Sequence, residues 1–180
     1  MNARSIPFTL GLAATLVLFA LLLAGCAGTP AGPSALAQLS PTRGNTAMGS
    51  VTFRQNGDKV VVTGEVRGLM PNGEHGFHVH EKGDCSSGDG ESAGGHFNPS
   101  GAPHGQHASG QHHAGDLPSL RADASGVAKF AFESRTITVG SGATDVVGRG
   151  LIVHKNPDDY RTQPTGNAGA RLACAVITRG

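Results

Sequence analysis

The chain has 180 residues, a formal net charge of +1, nine histidines, 28 glycines and few aromatics. Near-neutral charge, with no Lys/Arg run and no aromatic side chains interleaved among basic ones, excludes the usual nucleic-acid-binding surface. The length allows one core, once the ends are discounted.

The N-terminus carries basic Arg4, an apolar run from Phe8 to Leu23, and then Leu23-Ala24-Gly25-Cys26. That pattern is a lipobox, so residues 1–25 are read as a lipoprotein signal peptide and Cys26 as the lipid-bearing cysteine of an exported, membrane-tethered bacterial protein. An uncleaved membrane anchor is the alternative, and either puts the folded part outside the cytoplasm. Residues 26–45 are rich in Ala, Gly, Pro, Ser and Thr and are expected to form a flexible tether. The folded domain is then expected over 46–180.

Short alternating segments follow. Gly49 to Arg54, Lys59 to Val66, Val127 to Phe132 and Leu172 to Ile177 alternate or run apolar, with β-branched residues prominent. Asn56-Gly57-Asp58 is a hairpin signal; Pro71-Asn72-Gly73 and Ala124-Ser125-Gly126 are further turns. No sustained helical period is present, so the fold class is all-β, a sandwich or barrel of about eight strands. Two stretches, Glu81 to Gly115 and Lys155 to Gly169, lack alternation and are read as long functional loops.

Of three cysteines, Cys26 is taken by lipidation, which leaves Cys85 and Cys174. In an oxidising compartment a disulfide between them is the default, against two free thiols or thiolate metal ligands.

Six histidines and one aspartate, His78, His80, His96, His104, His113, Asp116 and His154, form a candidate metal set. His78 and His80 are two apart on a predicted strand, so they project from one face. His96, His104, His113 and Asp116 make three imidazoles and a carboxylate, a closed tetrahedral zinc set. Seven ligands exceed the needs of one ion; two neighbouring ions, with imidazole suited to zinc and copper, account for them.

Gly76-Phe77-His78-Val79-His80-Glu81, Gly95-His96-Phe97-Asn98-Pro99, His113-Ala114-Gly115-Asp116-Leu117, Ile152-Val153-His154 and Gly166 to Cys174, in that order, resemble copper/zinc superoxide dismutase. Glu81 to Cys85 and the His112-His113 doublet resemble its bacterial periplasmic branch. The resemblance implies an eight-stranded antiparallel Greek-key barrel. It implies copper on His78, His80, His96 and His154, and zinc on His96, His104, His113 and Asp116, with His96 shared between one copper and one zinc ion. It further implies dismutation of superoxide through alternating copper reduction and reoxidation, with His96 as the proton carrier and Arg171 attracting the anion. Asp158 matches an aspartate that bridges a copper-ligand and a zinc-ligand histidine; Asp159 is its alternative by one position. His75, His107 and His112 match no ligand and are expected as solvated loop residues.

Two rival functions fit parts of the pattern: a dismutase-like protein that stores or delivers metal without turnover, and an adhesive β-sandwich. No strand presents a contiguous apolar interface, so monomer and homodimer both stay open.

Overall fold

The computed structural model describes Met1 and residues 32–180. The apolar N-terminal run and Cys26 lie outside these residues. Strands are β1 Ser34–Pro41, β2 Met48–Asn56, β3 Lys59–Arg67, β4 Glu74–His75, β5 Phe77–His80, β6 Leu120–Arg121, β7 Ala128–Ser134, β8 Gly150–His154 and β9 Arg171–Arg179, with one 3₁₀ turn at Glu91–Ala93.

Seven strands form one sheet in the order β5-β8-β9-β1-β2-β3-β7, antiparallel throughout, and β4 pairs with β6. The sheet curls until its two edges meet: Phe77 on β5 packs edge-to-face against Phe130 on β7, with ring centroids 5.4 Å apart. The chain crosses from β3 to the far edge at β5, returns to β7 beside β3, and crosses again to β8. These are Greek-key connections, and they carry the long loops to one region of the barrel.

Inside the curl, alternate residues such as Val51, Phe53, Val60, Val62, Leu151 and Ile177 are fully buried. The β2–β3 hairpin turns at Gly57-Asp58, with Asn56 paired to Lys59 and Gly57 at φ +60°. That is the left-handed conformation such a two-residue turn requires.

The domain starts earlier than expected. Residues 34–41, assigned above to the tether, form β1 between β2 and β9, and Ala35, Ala37 and Leu39 alternate into the core. Their small side chains and low strand propensity hid the period-2 pattern. Pairing on both edges supplies the order that local preference lacks.

Candidate metal centre

On β5, Phe77 and Val79 face the core, so His78 and His80 face the other way, as period 2 demands. Both are nonetheless buried, because the 81–119 loop folds back over them. The loop is stitched to β5 by backbone bonds, Phe97 N–H to Val79 O (2.8 Å) and Val79 N–H to Gly115 O (2.9 Å), and to itself by Gly115 N–H to Phe97 O (2.8 Å). His80 thereby stands opposite His96, and His78 opposite Asp116. His154 comes from the end of β8, where a register shift between Val153 and His154 sets it against Arg171 of β9. Bulges of this kind re-aim a side chain beside a functional site.

Two groups of donors result. His78, His80, His96 and His154 offer ligand atoms that all lie within 4.8 Å of one another, and so do His96, His104, His113 and Asp116; His96 belongs to both. In the first group each remaining nitrogen has a fixed acceptor. His80 Nδ1–H donates to Gly94 O (2.8 Å), His154 Nδ1–H to Gly169 O (3.1 Å) and His78 Nε2–H to Asp158 Oδ2 (2.7 Å). Those bonds set the tautomers and leave His80 Nε2, His154 Nε2 and His78 Nδ1 as bare donors. His80 Nε2 and His154 Nε2 are 3.4 Å apart.

In the second group, Asp116 Oδ1 is 2.9 Å from His96 Nδ1, 3.0 Å from His104 Nδ1 and 3.4 Å from His113 Nδ1. Asp116 Oδ2 accepts the N–H of Gly105 (3.1 Å) and of His113 (2.9 Å), which fixes the carboxylate and leaves Oδ1 turned to the imidazoles.

The donor set fits metal ions on its own evidence. His78 Nδ1 and His96 Nε2 are buried with no hydrogen-bond partner among the described residues. A desolvated donor without a partner is costly, and a cation shared among such nitrogens removes the cost. Burial pushes the His78, His80 and His154 pKa values down, and His96 down to about 4, so these imidazoles are neutral and ready to ligate at pH 7. His104 behaves oppositely: burial lowers it, but hydrogen bonds to Asp116 and then Asp158 outweigh that and raise it to about 9. Positive charge is favoured between those two carboxylates, and a dication supplies it.

Asp158 joins the two groups. Besides His78, it accepts from His104 Nε2–H through Oδ1 at 2.9 Å. The neighbouring Asp159 instead caps its own turn, accepting from Arg161 N–H (2.9 Å) and Thr162 N–H (2.8 Å), and is exposed. Asp158→Asn would set an amide N–H against an imidazole N–H on one side of the bridge. Zinc affinity should then fall by about 10- to 100-fold, read by chelator competition. Gly166 is the bridge's neighbour: its φ is +64°, and a Cβ there would overlap Asp158 Oδ1 and His104 Nε2. Gly166→Ala is accordingly expected to weaken zinc binding similarly and to destabilise the fold by about 1–3 kcal/mol in urea titration.

Arg171 is largely buried at the start of β9. Its Nη1 donates to Gly90 O (2.7 Å) and its Nη2 to Gly94 O (2.8 Å), the carbonyl that also anchors His80. Burial lowers its pKa, with Glu91 and then Asp89 pulling the other way. Cys85 and Cys174 are disulfide-bonded, with Cα atoms 5.9 Å apart, so the loop that holds Arg171 is itself tied to β9.

The remaining histidines divide. His107 and His112 are partly exposed, as expected of loop residues. His75 is not solvated: it is fully buried on β4, and its Nδ1–H donates to His154 O at 2.8 Å.

A family model for copper/zinc superoxide dismutase (SODC) matches residues 47–177. The chain is 42% identical over 135 residues to a superoxide dismutase [Cu-Zn] of Paramecium bursaria Chlorella virus 1, covering 72% of this chain and 71% of that one. It is 40% identical over 149 residues to a superoxide dismutase [Cu-Zn] of Onchocerca volvulus, covering 77% and 92%. The crystal structure of the clock protein EA4 superposes with a TM-score of 0.74 at 39% identity, covering 84% of this chain and 97% of that one. With the model matched across most of the barrel and its loops, the chain belongs to the copper/zinc superoxide dismutase family.

Proposed function

We propose that His78, His80, His96 and His154 hold the copper ion of this superoxide dismutase and that His96, His104, His113 and Asp116 hold its zinc ion. His96 carries the reading. It belongs to both donor groups, its Nδ1 faces Asp116 Oδ1, and its Nε2 is buried without a partner among the described residues. An imidazole ligates through both nitrogens only when both protons are gone, and two cations are needed to hold that anion.

When bound, copper supplies one-electron reduction and reoxidation, while zinc, which has no redox chemistry, supplies charge and structure. His96 Nε2 holds a proton in one half of the cycle and releases it in the other, so that two superoxide anions and two protons give dioxygen and hydrogen peroxide. Arg171 draws the anion in with a permanent charge and a planar array of N–H donors beside His80 and His154. Asp158 keeps His78 and His104 in register, one from each donor group. Rapid superoxide consumption that requires both metals, followed by stopped flow, tests the assignment.

The lipobox at Leu23 to Cys26 supports a bacterial lipoprotein exported to the cell envelope, where dismutation protects envelope components from superoxide. Labelled fatty acid should enter the wild-type chain and not Cys26→Ser. Equal labelling of both would remove the anchor.

A further inference from the structure

We propose that Glu91 is a rate-limiting competitor of the anionic substrate for Arg171. The proposal rests on Arg171 being the residue that attracts superoxide. Its guanidinium already has two fixed acceptors, Gly90 O on Nη1 and Gly94 O on Nη2. Those carbonyls position it without help from a side chain. Glu91 Oε2 then lies 3.1 Å from Nη2 as an ion pair, without joining the hydrogen bonds that fix the guanidinium. An arriving anion therefore meets a guanidinium whose charge is already partly neutralised.

Burial separates the partners. The Arg171 side chain is 12% exposed and Glu91 is 65% exposed. Arg171 is clamped, while Glu91, on the short 3₁₀ turn, is the partner that can swing into water. The other charged group near Arg171 on this turn is Asp89, whose carboxylate instead accepts the Glu91 N–H at 3.0 Å. Glu91 is thus the carboxylate in direct contact with the anion-attracting group, and it makes a contact the fold does not need.

The test is Glu91→Gln in the copper- and zinc-loaded protein, alone and combined with Arg171→Met. At low ionic strength Glu91→Gln should raise kcat/KM by about two- to fivefold, the range an exposed ion pair commands. Affinity for azide, titrated optically at copper, should rise by the same factor. Both gains should vanish near 1 M salt, where screening reaches contact distance, and neither should appear in the Arg171→Met background. Unchanged or reduced kcat/KM and azide affinity in Glu91→Gln, with Arg171→Met lowering both, would overturn the proposal alone. If Arg171→Met alters neither quantity, the role of Arg171 falls and the proposal falls with it.

Discussion

His80→Ala is expected to lower superoxide turnover by more than about a hundredfold, with zinc retained and copper bound weakly. Partners one shell removed from a metal cost about 10- to 100-fold when replaced, so a direct ligand costs more. His80 belongs to only one of the two donor groups, which leaves the Asp116 group complete. The variant should still fold, because β5 fills the core through Phe77 and Val79. Two effects then add: the loss of a copper donor, and the loss of the Nδ1–H bond to Gly94 O, where Arg171 is also anchored. Metal content by mass spectrometry and stopped-flow turnover on one preparation check both. Full activity would remove His80 from the copper set.

The largest effect on stability should come from Cys85→Ser/Cys174→Ser. The bond closes a loop with a sequence separation of 89 residues. On the chain-entropy model that constrains the unfolded state by roughly 4–5 kcal/mol, and observed losses for native disulfides run about 2–5 kcal/mol. Urea unfolding at fixed metal loading reads the difference. Activity should fall as well, since Gly90 and Gly94, which clamp Arg171, lie on the loop the disulfide holds against β9. A variant as stable and active as the wild type would mean that backbone bonds alone hold the loop.

The chemistry of this chain was more legible than its edges. His78 and His80 share a face because strands have period 2, and the gap between His113 and Asp116 suits a tight turn over an ion, so spacing and the number of histidines pointed to a metal set, whereas the place of His154 in it came from the resemblance. Asp158 needed the resemblance, because nothing in Lys155 to Asp159 says which carboxylate turns inward; the structure distinguishes them through the bonds to His78 and His104. Strand β1 was missed because Ala35 and Ala37 are weak strand formers that become buried only once β2 and β9 close on either side. His75 was missed for a related reason. A lone imidazole on a two-residue strand has no local signature of burial, and its acceptor, His154 O, is distant in sequence. The Glu91–Arg171 contact likewise joins two segments that only the folded loop brings together.

Two adjacent ions sharing His96 are what the proposed turnover requires. Metal analysis and superoxide consumption should therefore be measured together on the purified chain, before and after selective removal of copper. One copper and one zinc per chain are predicted, with turnover that disappears with copper and returns on its addition. Both metals bound in equal amounts with no superoxide consumed would contradict the account and point to a protein that holds metal without turning substrate over.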